Sequence, residues 1–224
     1  MRDFFSLLRF CTTAIFLLLC LNVAASDANP YLLSDSTRVH RIDSYAAVFI
    51  DSTNQLSAEE ILRPDFQTNF KHGKRLTFGY IKSTVWLRLK TKTGLPHTQW
   101  YLEIPAPYLE YVDFYQFQPN GSWIHSAAGY YRKQSEKDIP HTGHVIPLVF
   151  DINATNTVFI RIAGSGPRTF PLIVVEKEKF HENVRNQDVA YGIFFGILIV
   201  MFFYNLLLYL SLKQVNFLLY IFTI

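Results

Sequence analysis

Hydrophobic and polar residues alternate through the middle of this chain and run together at its two ends. "TVWLRLKT" (Thr84–Thr91) sets Val85, Leu87 and Leu89 on one face and Trp86, Arg88 and Lys90 on the other, the period-two signature of a half-buried strand. "WYLEI" (Trp100–Ile104) groups Trp100, Leu102 and Ile104 in the same way. "YVDFYQF" (Tyr111–Phe117) and "GSWIHS" (Gly121–Ser126) flank the turn signal Pro119-Asn120-Gly121. Further strands are expected at His144–Phe150, Thr157–Ala163 and Thr169–Val175. Short strands separated by Pro, Gly and Asn clusters predict a mainly-β, antiparallel sandwich. "LSAEEILRP" breaks the pattern: Ser57 stands three residues before Glu60, a capping box, and Pro64 ends the short helix. Glu176–Asp188 is charged and free of Pro and Gly, which suits a short helix or a linker.

The ends read differently. Arg2 and Arg9 precede the apolar run Phe10–Leu21, and "NVAAS" follows with small residues at Val23 and Ala25. That is a secretory signal, residues 1–25, cut after Ala25. Leu19 before Cys20 does not suit a lipoprotein signal. Val189–Leu212 is an uncharged run that reaches about 36 Å as a helix, enough to cross a bilayer. Lys213–Asn216 then reads as a tight cytoplasmic turn, and 217–224 as the start of a second span. On this reading 26–180 is an exported domain, 181–188 a juxtamembrane linker, and the chain the front part of a longer multi-span protein.

Composition narrows the picture further. Removing Arg2, Arg9 and Lys213 from the 21 Lys+Arg, and Asp3 from the 18 Asp+Glu, leaves 18 and 17 over residues 26–188, a net of +1. That balance gives no electrostatic basis for binding nucleic acid. Both cysteines, Cys11 and Cys20, fall in the signal, so the exported domain depends on its apolar core rather than on disulfides. Asn120 and Asn153 match a glycosylation pattern, which would carry no meaning if the protein were bacterial.

Three ordered stretches carry a family likeness: "LTFGYIKSTVWLRLKTKTG" (Leu76–Gly94), "WYLEIPAPYLEYVDFYQ" (Trp100–Gln116) and "VFIRIAGSGPRTFPLIV" (Val158–Val174). They resemble the second type of extracellular sensory domain of bacterial seven-transmembrane receptors with diverse intracellular signalling modules. The segment Tyr191–Ile224, with its Tyr204-Asn205 step, is similar to the first span and the start of the second in those receptors. The resemblance implies a jelly-roll sandwich like a carbohydrate-binding module. It also implies a ligand sensed outside the inner membrane, carbohydrate among the candidates, and a cytoplasmic output module beyond this chain. No catalytic residue and no cofactor is implied.

Candidate ligand residues are the polar and aromatic side chains opposite the aliphatic face: Trp86, Arg88, Tyr101, Glu103, Asp113, Tyr115 and Arg161, with Lys90 and Tyr111 on the same alternation. Aromatic rings stack on the C–H faces of sugars, and Arg, Asp and Glu pair with hydroxyls. The competing reading makes Trp86 core and the charges a solvated face. His141 and His144 read as ordinary loop histidines, because a metal needs ligands beyond these two. Glu103 and Asp113 could pair as hydrolase carboxylates only if the fold brings them together. In the apolar run, Gly192 and Gly196 have helix-packing spacing, and Asn205 needs a partner that a neighbouring helix could supply. A membrane-tethered exported carbohydrate-active enzyme, or an envelope-assembly or protein-binding subunit, is the alternative to a receptor.

Overall fold

Two antiparallel sheets face each other across a core built from the alternating residues of the middle segment. The computed structural model describes residues 29–34, 36–73, 75–95, 98–118, 121–150 and 154–223. The proposed signal sequence, Asn120 and Asn153 lie outside them.

The large sheet runs β4 (Lys71–His72), β3 (Ala47–Asp51), β6 (Thr84–Thr93), β11 (Thr155–Ala163), β8 (Tyr111–Phe117), β9 (Trp123–Ala128), and β1 (Tyr31–Leu33) joins β6 in parallel. The small sheet runs β10 (His144–Leu148), β7 (Trp100–Ile104), β13 (Ile173–Glu176), β2 (Val39–Arg41). A two-stranded ribbon pairs β5 (Thr77–Tyr80) with β12 (Pro167–Thr169). Val85, Leu87, Leu89, Phe114, Ile160 and Ile162 of the large sheet meet Trp100, Leu102, Ile104 and Val174 of the small one in a single buried cluster. The expected inward faces of β6 and β7 are therefore the observed ones, and the mainly-β sandwich is the fold.

The large sheet buries its outer face as well at one end. The capping box forms: Ser57 Oγ accepts from Glu60 N (3.3 Å) and Glu60 Oε2 accepts from Ser57 N (2.8 Å). It opens α1 (Ala58–Ile61), and Pro64 starts a 3-10 segment, Pro64–Asn69. Ile61, Phe66 and Phe70 from this excursion lie over Ala47, Trp86 and Phe159 as a second apolar cluster.

One expected strand is really two. Thr169–Val175 divides at Phe170-Pro171-Leu172, where the chain leaves the ribbon for the small sheet. Pro171 has no N–H to give a continuous ladder.

β13 passes directly into α2 (Lys177–Leu212), 36 residues long. The stretch 181–188, expected as a linker, is continuous helix, and Phe180 is buried on the small sheet. From Val189 onward most of the large apolar side chains are exposed, as in a helix whose surroundings are lipid. α2 ends at Lys213, which adopts a left-handed conformation (φ 51°) and donates its N–H to Tyr209 O at 2.7 Å. The turn is shorter than expected, because α3 (Val215–Thr223) begins at Val215.

Candidate functional site

Alternation fixes which side chains leave the large sheet. With Val112 and Phe114 inward, Asp113 and Tyr115 point outward on β8. Register sets Arg161 opposite Asp113, and His125 opposite Tyr115. Tyr115 of β8 and Trp123 of β9 pack against the cluster over Trp86 but stay only partly buried, so this strip of the outer face keeps accessible groups.

Asp113 is the node. Its side chain is 4% exposed, and its oxygens receive Arg132 Nη2 at 2.6 Å, His125 Nε2 at 3.1 Å and Arg161 Nη1 at 3.1 Å. A buried carboxylate is retained only when charge and hydrogen bonds replace the lost water. Two guanidiniums do that here, and they stay 24% and 32% exposed themselves. Tyr115 stacks between Trp86 (6.0 Å, 28°) and His125 (4.8 Å, 22°). Burial, and then the negative charge of Asp113, push its hydroxyl pKa up. Arg132 lies 5.9 Å over the ring of Tyr111, and Tyr111 touches Tyr131 at 5.8 Å. Tyr130 and Tyr131 are exposed and form an aromatic rim. The arrangement presents forked donors beside flat rings, which suits a polar ligand with C–H faces.

The structure divides the candidate residues expected from sequence. Trp86, Arg88, Asp113, Tyr115 and Arg161 share the outer face of the large sheet. Trp86 is fully buried there, so it is the floor of the stack and offers no surface to a ligand. Arg88 is also buried. Its Nη1 reaches Gln67 O (3.2 Å) and Gln67 Oε1 (3.3 Å), and its guanidinium lies 5.4 Å over Phe70, so it fastens the excursion to the sheet. Tyr101 and Glu103 project from the opposite sheet. Tyr101 packs against Phe180 of α2 (5.4 Å), and Glu103 is half-buried with a pKa raised by burial. Glu103 and Asp113 therefore stand on opposite outer faces with the core between them, and they form no catalytic pair. Sequence reasoning missed His125, Arg132, Trp123 and the tyrosine rim. Alternation in "GSWIHS" could have grouped Trp123 with His125, whereas Arg132 lies in a loop where periodicity says nothing.

His141 accepts from Gly143 N at 3.1 Å and lies 5.1 Å from the ring of Phe180. His144 is buried on β10, its pKa lowered to about 4, first by burial and then by Lys137. In α2, a Cβ at Gly192 or Gly196 would meet nothing within 4 Å apart from adjoining residues and nearby backbone of its own helix. Asn205 Nδ2 donates to Met201 O (2.8 Å) in its own helix rather than to a neighbour.

A family model described as 7TMR-DISM extracellular 2 matches residues 43–176, more than half of the chain. The chain belongs to the 7TMR-DISM extracellular 2 family. Its match begins at the turn after β2 and ends at the last residue of β13, so it covers the sandwich except for β1 and β2 and stops where α2 starts. No curated protein matches. Among solved structures, this 7TMR-DISM domain is similar to a β-glucosidase from Kluyveromyces marxianus in complex with glucose. Identity is 14% and the TM-score 0.35, over 71% of this chain and 19% of that one. It is also similar to a carbohydrate-binding module of the β-sandwich superfamily, at 16% identity and a TM-score of 0.25, over 62% of this chain and 52% of that one. A 7TMR-DISM extracellular domain joined to a helix long and apolar enough to cross a membrane is the sensory domain of a membrane receptor.

Proposed function

We propose that this chain is the ligand-sensing front part of a bacterial inner-membrane receptor, with the sandwich in the periplasm and the open strip of the large sheet as its ligand face. The observation that carries the reading is the Asp113 node: a buried carboxylate aiming Arg132, Arg161 and His125 at the surface beside the Tyr115 ring and the tyrosine rim. A carbohydrate fits that chemistry, with hydroxyls on the guanidiniums and a sugar face on a ring. A signal sequence cleaved after Ala25 would leave the sandwich outside, α2 would run inward, and a cytoplasmic output module in the longer chain would receive the bias that ligand places on α2.

The test uses the chain in lipid nanodiscs, with tryptophan fluorescence followed against a panel of neutral and acidic mono- and oligosaccharides. Trp86 and Trp123 both lie in the apolar cluster beside Tyr115, so an occupied face should change their emission. Saturable changes that disappear in Arg161→Gln and His125→Ala, in variants that remain folded, are expected. No saturable response to any sugar, or a response that both variants keep, would reject this face.

A further inference from the structure

A concavity lies where β2, the ribbon and the chain leading into β13 converge. It is a cleft of about 420 Å³, a size typical of small-molecule sites. Leu76, Phe170 and Pro171 are among its lining residues, and the first two are core residues, each 3% exposed. Among the described residues that line it, two carry guanidiniums, Arg41 and Arg75, and one a carboxylate, Asp43.

The walls are built before any ligand arrives. Phe170 N–H donates to Leu76 O (3.2 Å), and Ile42 N–H donates to Leu172 O (2.9 Å). Asp43 uses one oxygen to accept from Leu172 N (2.6 Å) and the other to accept from Arg41 Nε (2.7 Å). A carboxylate anchored to the backbone thus orients Arg41 through Nε, and Arg41 is otherwise 72% exposed along its side chain. Among the described lining residues one positive charge is left over once Asp43 is matched.

We propose that this cleft binds a small organic carboxylate with an apolar body. The carboxylate sits on Arg41 and Arg75, and the body lies on Leu76 and Phe170. Guanidinium forks match a planar carboxylate, and an apolar body recovers free energy that a bare anion cannot. The residues here are separate from those of the Asp113 face, so this site stands or falls independently of the proposed sugar site.

The experiment is isothermal titration of the chain in nanodiscs of zwitterionic lipid, with empty nanodiscs as the blank for partitioning. The probes are 3-phenylpropionate, its neutral amide and inorganic phosphate. Saturable 3-phenylpropionate binding is expected with a dissociation constant of about 1 mM or below. The amide and phosphate should each bind at least about tenfold more weakly, since each lacks one of the two recognised parts. Arg41→Gln/Arg75→Gln should weaken 3-phenylpropionate about tenfold or more, and Arg41→Lys/Arg75→Lys should retain part of it. The outcomes that overturn the proposal are no saturable binding to about 10 mM, phosphate binding as well as 3-phenylpropionate, or undiminished binding by the folded Gln double variant.

Discussion

Phe180 is the side chain that fastens the long helix to the sandwich, and its removal has a calculable result. It is 4% exposed and stands edge-on to Tyr101 (5.4 Å, 75°) and His141 (5.1 Å, 64°), with Val145 and Val175 in the same cluster. Truncating a buried Phe to Ala costs ~3–5 kcal/mol, and the lower end applies at the rim of a sheet. The polar contacts nearby are weaker. Arg38 pairs with Glu176 and, at 3.8 Å, with Glu182. Such exposed pairs are screened by water and contribute little. The first turns of α2 can open only by undocking Phe180, so its contribution appears directly in the opening equilibrium. Phe180→Ala should speed amide hydrogen exchange at residues 181–184 by about a hundredfold, whereas Glu182→Gln should change it less than about fivefold. The assay is exchange read by mass spectrometry on the chain in nanodiscs. A change below about threefold in Phe180→Ala, with the sandwich still melting normally, would refute this account of the junction.

Two further outcomes follow from buried ionisable groups. His144 is neutral in the folded state well below its ordinary 6.5, with a pKa near 4, so the unfolded chain binds the proton first as pH falls. His141, lowered by burial and by Lys137, acts in the same direction, and Glu103, raised by burial, opposes both. The His144 contribution is therefore whole above pH 6.5 and declines to nothing near pH 4, amounting to about 3 kcal/mol at most, and His144→Gln should flatten the melting temperature across that window. A slope unchanged by the substitution would count against it. Arg168 is 2% exposed and donates to the carbonyl oxygens of Ser83 and Gly164, joining the loop before β6 to the loop before β12. Arg168→Met should cost about 2–3 kcal/mol, because it strips donors from buried acceptors while relieving the cost of a buried charge, and thermal melting that shows less than about 0.5 kcal/mol would contradict this role.

What the sequence disclosed follows the strength of its local signals. β6, β7 and β8 announce themselves because their apolar residues alternate over five or more positions and both register and face depend on that alternation. The early strands did not stand out: Tyr31–Leu33, Val39–Arg41 and Lys71–His72 are two or three residues long, and pairing rather than pattern makes them strands. The candidate site was half legible. Periodicity alone puts Asp113 and Tyr115 on one face of their strand and turns Arg161 outward on its own, and only the pairing of β8 with β11 brings the three together. That Tyr101 and Glu103 lie on the other sheet was hidden, because alternation separates inside from outside but cannot say which of two outsides a strand presents. Trp86 looked outward on its own strand, and only the return of residues 57–70 over it makes it core.

The unbroken passage from β13 into α2 turns chain length into an angle. Each helical residue advances about 1.5 Å and turns about 100°, so the stretch from Lys177 to Asp188 both lifts the sandwich off the bilayer and sets the compass bearing from which the Asp113 face looks out over it. With Phe180 and Val184 docked on the sandwich, one residue gained or lost between Arg185 and Asp188 would swing that face more than a quarter-circle around the membrane normal while leaving every contact inside the sandwich untouched.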